Sequence, residues 1–154
     1  MPRVVLDPNV LVSGLITPRG TSARILLALR EGAFELIACP MLIDEVDVVL
    51  KREKFRRYVG LDEAAAFVAS IRASGTIVED PDLSGPRVGE DQGDEYLIAL
   101  ARAARADAIV SGDPHLTRLR GRIPVQSPRE FIDALSPDHP EDPPRGGQAT
   151  RTPR

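Results

Sequence analysis

Two short apolar runs, with no polar alternation, constrain the fold of this chain more than any other feature. They are VVL at residues 4–6 and AIV at residues 108–110. A strand with one face in water alternates apolar and polar residues, so a continuous run is typical of a strand buried on both faces of a parallel sheet. Both runs therefore predict central strands of a parallel sheet.

Helical patterns separate these runs, and further short strand patterns accompany them. The strand patterns are at residues 34–39, 76–78 and 123–125, and the helix patterns are at 21–30, 40–50, from 62, from 94, at 115–119 and at 128–135. Strands that alternate with helices form parallel sheets covered on both faces, so we expect an α/β fold, a three-layer α/β/α sandwich with a central, mainly parallel sheet. Pro8 lacks the N–H that a sheet ladder needs, so the first strand ends at Asp7, and we expect Asn9 and Ser13 in a loop.

The composition predicts one globular domain with a polar tail. The chain has 154 residues, the size of a single domain, and its apolar fraction of 42% is ordinary for a globular protein. Residues 136–154 are rich in Pro, Gly and charge and have almost nothing to bury. We therefore expect a domain over residues 1–135 and a disordered C-terminal tail over 136–154.

Several classes of protein are excluded by charge and by the cysteine count. The net charge of −3 argues against a general coat for duplex DNA, which needs a basic surface, but leaves nucleic-acid enzymes open. No apolar run is as long as a membrane span, and the first residues lack the features of a signal peptide. Cys39 is the only cysteine, which suits a reducing compartment. We expect a cytoplasmic protein with no membrane partner.

Both apolar runs lead into an aspartate. Asp7 follows the first run directly, and Asp113 follows the second after Ser111 and Gly112. The carboxyl ends of parallel strands meet at one edge of the sheet, where ligands bind in open α/β folds. If the two strands are neighbours, the carboxylates converge there. The alternative is that each aspartate is a turn residue that bonds its own backbone.

Glu45 is an acid with apolar helical neighbours. The residues three and four positions away from it are Met41, Leu42, Val48 and Val49. We therefore expect Glu45 to point into an apolar arc, where its carboxylate needs a cationic partner, a metal ion or a raised pKa. The alternative is an edge position from which the side chain reaches water.

Further acids stand at the start of the helix pattern near residue 94. Asp91, Asp94 and Glu95 can each interact favourably with a helix N-terminus, which accounts for one or two of them. Together with Asp7, Glu45 and Asp113 they fit a hard-cation site, because Mg²⁺ and Mn²⁺ prefer carboxylate oxygens. The sequence has no His or Cys cluster that competes for this role.

At this point the chain resembles the PIN-domain family, in particular the VapC-like ribonucleases that are toxin components of toxin–antitoxin pairs. The resemblance covers about residues 1–135. The stretches that carry it are VVLDPNV at 4–10, the helix with Glu45, DQGDEYL at 91–97, AIVSGDPHL at 108–116 and SPREF at 127–131. Each motif is short, and their order along the chain makes the signal specific.

The resemblance implies an acidic site, an activity and partners. The implied quartet around Mg²⁺ or Mn²⁺ is Asp7, Glu45, Asp94 and Asp113, with supporting roles for Asn9, Ser111 and Asp91. It implies a metal-dependent endoribonuclease that cleaves single-stranded RNA, is often a homodimer and is silenced by a cognate antitoxin protein. Pro8 departs from the family, which usually has Thr there, and the change removes a hydroxyl and an N–H near the site.

Two other functions stay open. A catalytically silent PIN-like domain would act as a protein- or RNA-binding module, and Pro8 is the feature that favours this alternative. A magnesium phosphatase of flavodoxin-like fold usually has a second aspartate two positions after its nucleophile, and Asn9 stands in that place here.

Overall fold

The computed structural model describes residues 1–84 and 92–135, without the side chains of 92–94. The strands in this part of the chain are β1 (Arg3–Leu6), β2 (Glu35–Ala38), β3 (Thr76–Ile77), β4 (Ala108–Val110) and β5 (Val125–Gln126). They form one sheet in the order β3-β2-β1-β4-β5, and every pair of neighbours is parallel. The two apolar runs are thus adjacent central strands, as expected. The predicted disordered tail, 136–154, lies outside the described residues.

Helices cover both faces of this sheet, which confirms the α/β/α sandwich. They are α1 (Pro8–Ile16), α2 (Thr21–Arg30), α3 (Pro40–Leu50), α4 (Leu61–Ser74), α5 (Gln92–Ala103), α6 (Pro114–Thr117) and α7 (Pro128–Leu135), with a 3₁₀ turn at Glu53–Phe55. Within residues 1–84 and 92–135, none of these helices has both the length and the apolar character that crossing a bilayer requires.

Register between the central strands fixes where their ends lie. Val4 pairs with Leu36 on one side and with Ala108 on the other, and Leu6 pairs with Val110. Beyond the last pair, the N–H of Asp7 donates to the carbonyl of Val110 at 3.0 Å. The ends of β1 and β4 are therefore side by side at the carboxyl edge of the sheet.

The prediction that Asn9 and Ser13 lie in a loop after Asp7 is wrong, because both residues lie in α1. Asp7 is the N-cap of this helix, and its side chain accepts from the N–H of Asn9. Pro8 is the first helical residue, where an N–H has no partner inside the helix and a proline is well tolerated. The same residues that indicate a turn in the sequence start a helix here.

Helix α1 packs closely on α2 at a glycine. A Cβ atom added to Gly14 would lie 2.6 Å from Cδ1 of Leu26 and 2.9 Å from the backbone oxygen of Ser22. The backbone oxygen cannot move aside without moving α2. Gly14 therefore sets the distance between the two helices, and with it the position of the buried Ser22 side chain.

We expect the Gly14→Ala variant to be less stable than the wild type by up to about 2 kcal/mol in urea unfolding. Overpacking costs about 1–3 kcal/mol, which exceeds the gain in helix propensity of about 1 kcal/mol. The control is Gly121→Ala, because a Cβ there meets no atom within 4 Å. A Gly14→Ala protein as stable as the wild type would show that α1 and α2 can separate freely.

Candidate active site

Asp7 is a buried carboxylate held by two neutral donors. It is 6% exposed at the end of β1. Its Oδ1 accepts from the backbone N–H of Asn9 at 2.9 Å, and its Oδ2 accepts from the hydroxyl of Ser111 at 2.7 Å. Ser111 is fully buried and lies just beyond β4. Hydrogen bonds from the first turn of α1 and from the residue after β4 therefore fix the orientation of the Asp7 carboxylate.

Asp113 repeats the arrangement of Asp7 at the next strand end. It caps α6, and its Oδ1 accepts from the N–H of His115 at 2.9 Å, with Pro114 as the first helical residue. Its own N–H donates to the Ser111 hydroxyl oxygen at 3.0 Å. Ser111 thus bridges the two aspartates that the sequence predicts to converge.

A cleft of about 430 Å³ opens over the two aspartates. Its walls come from the strand ends, from the first two turns of α1 and from the first turns of α2, α6 and α7. The lining residues are Asp7, Asn9, Val10, Ser13, Ser22, Gly112, Asp113, Pro114 and Pro128. The cleft therefore collects two carboxylates, one amide and two hydroxyls at the carboxyl edge of the sheet.

The charge of Asp7 is poorly compensated by its surroundings. Burial raises the pKa of this carboxyl above its ordinary value, and the negative charge of Asp113 adds to the rise. The hydrogen bonds from Asn9 and Ser111 act in the opposite direction but do not offset the burial. An anion held in this way stabilises any cation that enters the cleft.

The donors in the cleft fit a hard divalent cation. Carboxylate oxygens are the ligands that Mg²⁺ and Mn²⁺ prefer, and the uncompensated charge of Asp7 favours a cation beside it. Within the part of the chain that the structure describes, no three acids, histidines or cysteines lie together closely enough to hold one ion. Asp91 and the side chain of Asp94, which the sequence assigns to the same site, lie outside the described residues.

Glu45 does not point into an apolar arc, and that expectation is wrong. Its side chain is exposed, because α3 buries the opposite side of the helix. Two of the apolar neighbours that suggested burial are themselves exposed, Met41 by 36% and Val48 by 61%. Glu45 does not line the cleft over Asp7. Its Oε1 accepts a hydrogen bond of 2.6 Å from the hydroxyl of Tyr96.

Tyr96 is a residue of this region that the sequence analysis missed. It lies on α5 and is only 5% exposed. Burial raises the pKa of its hydroxyl, as do the charges of Glu45, Cys39 and Asp7. The phenol is therefore near enough to both Glu45 and Asp7 for their charges to act on it. The only signal in the sequence was a phenol on the apolar face of a helix, which is also an ordinary core position.

Pro8, which stands where the resembled family usually has Thr, is compatible with the backbone geometry of the site. An N–H at the first helical position would have no partner in the helix, so Pro8 removes a donor that α1 does not use. At the start of α6, Asp113 is likewise the N-cap and Pro114 is the first helical residue. The missing N–H at Pro8 therefore gives no structural reason to prefer a silent domain.

The raised pKa of Asp7 predicts how the metal-free protein responds to pH. Between the ordinary carboxyl pKa of 3.8 and the higher pKa in the folded state, the folded protein binds more protons than the unfolded chain. This group's contribution to stability therefore falls as the pH rises through that window. Asn is as good an N-cap as Asp and carries no charge. We expect Asp7→Asn to melt higher than the wild type at pH 7 in chelator, with an advantage that vanishes as the pH approaches 3.8.

Thermal melts of both proteins between pH 4 and pH 8 test this expectation. Asp44→Asn is the control, because Asp44 is exposed on α3 and its charge is solvated. An Asp7→Asn protein that melts lower at pH 7, or whose advantage does not change with pH, would contradict the uncompensated charge.

Comparison with known proteins agrees with this geometry. A curated relative, the uncharacterized protein MJ1680 of Methanocaldococcus jannaschii, is 27% identical over 141 residues, which cover 85% of this chain and 90% of the relative.

Two solved structures share the fold at low identity. One is VapBC2 from Rickettsia felis bound to a DNA fragment from its promoter, with a TM-score of 0.57, 12% identity and coverage of 81% of this chain and 98% of that chain. The other is PAE2754 from Pyrobaculum aerophilum, with a TM-score of 0.56, 14% identity and coverage of 90% and 98%.

The PIN domain profile matches residues 3–115, from β1 into α6, and so includes both aspartates of the cleft. PIN domains are generally nucleases. This match confirms the family that the sequence motifs resemble: the chain belongs to the PIN domain family.

Proposed function

We propose that this protein is a metal-dependent endoribonuclease that cleaves single-stranded RNA and is the toxin of a toxin–antitoxin pair. The observation that carries the proposal is the convergence of Asp7 and Asp113 in one cleft, with the charge of Asp7 left uncompensated. The match to a family of nucleases spans these residues. A buried anion without a cation destabilises a fold, so its presence favours a functional role for the charge.

The residues that would hold the metal ion are Asp7 and Asp113, joined by Asp94 and Glu45 as the family resemblance implies. When bound, Mg²⁺ or Mn²⁺ stabilises the charge that develops on a phosphodiester and lowers the pKa of water. Ser111 holds Asp7 in a single orientation through the 2.7 Å bond. The exposed amide of Asn9 lines the cleft and can hydrogen-bond a phosphate oxygen.

The basic segment, which we define as residues 51–58, supports a nucleic-acid substrate. It has five Lys and Arg residues and one Glu in a chain of net charge −3. Lys54 lies 5.1 Å from the centre of the Phe55 ring, and Arg57 lies 5.7 Å from that of Tyr58, which is 58% exposed. Phe55 is half-buried, whereas the cation beside the exposed ring of Tyr58 suits the phosphates and the unpaired bases of a single strand.

The geometry of α3 gives the separation along the helix between Glu45 and the start of the basic segment. Glu45 and Lys51 are six residues apart at the end of α3, which is about 9 Å along the helix axis. Lys51 itself pairs with Asp47 at 3.1 Å, and Arg56 donates to the Leu50 carbonyl at the end of α3. Of the three basic residues that remain, Lys54 and Arg57 lie beside aromatic rings, and they are the cations that we assign to RNA.

An antitoxin partner and a homodimer are part of the proposal. The R. felis neighbour is a VapBC2 complex, and the sequence motifs resemble toxins of this kind. An acidic cleft favours a partner segment with Arg or Lys side chains. Co-expression with the product of a neighbouring small gene, followed by size-exclusion chromatography with light scattering, tests the partner and the stoichiometry together.

If the proposal holds, RNA cleavage requires the carboxylates of Asp7 and Asp113. We expect Asp7→Asn and Asp113→Asn each to lower the rate on a single-stranded RNA in Mn²⁺ at least about a hundredfold, which corresponds to about 2.7 kcal/mol of transition-state stabilisation. Chelator should abolish the wild-type rate, and Asp44→Asn should leave it unchanged. RNA that is bound equally by all the proteins and cut by none would support the silent binding module instead.

A separate experiment tests whether the basic segment binds RNA. We expect the Lys54→Gln and Arg57→Gln double variant to raise KM for RNA and leave kcat unchanged. The salt dependence of its binding should be shallower by about 1.4 in log–log slope, because each phosphate that is no longer neutralised removes about 0.7. The control is the double variant Arg24→Gln and Arg72→Gln, which removes two exposed arginines on α2 and α4. Equal KM values and slopes in the two double variants would contradict a special role for residues 51–58.

A further inference from the structure

The hydroxyl of Ser22 is a buried polar group at the edge of the acidic cleft. The residue lies in the first turn of α2 and is only 8% exposed. Within residues 1–84 and 92–135, no donor or acceptor bonds its Oγ. In the same part of the chain, partnerless side-chain atoms that are closed to solvent belong to Arg56 alone, so the Ser22 oxygen stays open to the cleft that it lines. A partner for this hydroxyl must therefore come from the cleft.

The backbone at the start of α2 offers further donors beside this hydroxyl. The N-cap is Gly20, which has no side chain to accept from them, and the first turn has no acidic residue. In the described part of the chain, no acceptor bonds the N–H groups of Thr21, Ser22 and Ala23. The aligned peptide dipoles give this end of the helix a partial positive charge. The start of α2 is therefore ready to receive an anion.

We propose that the Ser22 hydroxyl and the N–H groups of Thr21, Ser22 and Ala23 bind a phosphate of the RNA strand. We call these four donors the α2 phosphate site. The inference rests on the proposed function, because it takes single-stranded RNA as the ligand of the same cleft. It adds a hydroxyl and a helix end to the acids already placed there. Free N–H groups at a helix N-terminus are a favourable site for phosphate.

The packing of α1 on α2 fixes the α2 phosphate site relative to Asp7. Asp7 is the N-cap of α1, and Gly14 lies farther along the same helix. A Cβ atom at Gly14 would lie 2.9 Å from the backbone oxygen of Ser22, so the two helices are in direct contact at this point. The separation of Ser22 from Asp7 is therefore set by close packing, and a strand held at α2 lies along the cleft that contains Asp7.

The charges of the cleft make phosphate binding depend on a cation. Asp7 and Asp113 line the same cleft as Ser22, and their carboxylates repel a phosphate. A divalent ion beside these carboxylates would offset the repulsion. The ion and the phosphate should therefore each raise the affinity of the protein for the other by the same factor. Without the ion, the α2 phosphate site should bind phosphate weakly.

Steady-state kinetics on single-stranded RNA in Mn²⁺ test the hydroxyl. Ser22→Ala removes one oxygen and places a good helix former in the first turn, so the fold should be retained. We expect KM to rise about tenfold with kcat unchanged, as for the loss of one hydrogen bond to a charged group that serves binding alone. The matched control is Ser74→Ala at the exposed end of α4, which should behave like the wild type.

A carboxylate in the first turn of α2 separates binding from folding. Thr21→Glu places a negative charge at the helix N-terminus, which favours the helix, so the protein should melt no lower than the wild type. The same charge competes with the RNA phosphate for the N–H groups, so KM should rise at least as much as in Ser22→Ala. Ala65→Glu is the control, because it adds the same charge at an exposed position of α4 and should leave KM unchanged.

Backbone amide resonances give a measurement that does not depend on cleavage. Titration of the full chain with inorganic phosphate in Mg²⁺ should shift the N–H resonances of residues 21–23 in the wild type. The apparent Kd should be about tenfold higher in Ser22→Ala, for the same loss of one hydrogen bond. In chelator, the shifts in the wild type should be much smaller at the same phosphate concentration.

The outcomes separate this site from the proposed function. A wild-type protein that cleaves RNA, with Ser22→Ala at the wild-type KM, overturns the α2 phosphate site and leaves the proposed function in place. Phosphate that shifts other amides and not those of residues 21–23 overturns the site as well. A wild-type protein that does not cleave RNA overturns the proposed function, and the phosphate titration then still decides whether α2 binds the anion.

Discussion

The hydroxyl of Ser111 is the interaction on which the acidic edge of this protein depends. It accepts from the N–H of Asp113 and donates to the carboxylate of Asp7, and no part of it reaches solvent. It joins β1 to β4 one step beyond the last backbone pair, Leu6 with Val110. Without it, a buried carboxylate would lose one of its two donors, and unsatisfied buried charge is strongly unfavourable. The sheet register thus brings Ser111 beside both aspartates, and its two bonds fix the geometry of the site.

Much of the fold could be predicted from the sequence, because buried strands and helices have characteristic patterns of apolar residues. The two central strands could be predicted from continuous apolar runs, and the parallel sheet from the alternation of strands with helices. Helix α1 could not, because its first residues Asp7-Pro8-Asn9 are equally typical of a turn. The residues that follow, Val10, Leu11 and Val12, are all buried, so they show no polar face that would indicate a helix.

In the candidate site, some features could likewise be predicted from the sequence, whereas features set by contacts between residues far apart in the chain could not. Convergence of Asp7 and Asp113 could be predicted, since parallel strands bring their carboxyl ends to one edge. The orientation of Glu45 could not, because apolar neighbours at three and four positions do not say which side of a helix is packed. The bond from Tyr96 to Glu45 joins two helices across 51 residues of sequence, and its only local sign is an aromatic residue on an apolar face.

The uncompensated charge of Asp7 links the stability of the fold to whatever fills the cleft. Any cation that binds the native state alone stabilises it in proportion to the logarithm of its concentration over Kd. In the proposed toxin, a divalent ion or an arginine from a partner protein would satisfy Asp7 and Asp113 by the same electrostatic attraction. Either one would therefore stabilise the native protein. An antitoxin that covers this edge would silence catalysis by replacing the ion, and its own binding would stabilise the fold.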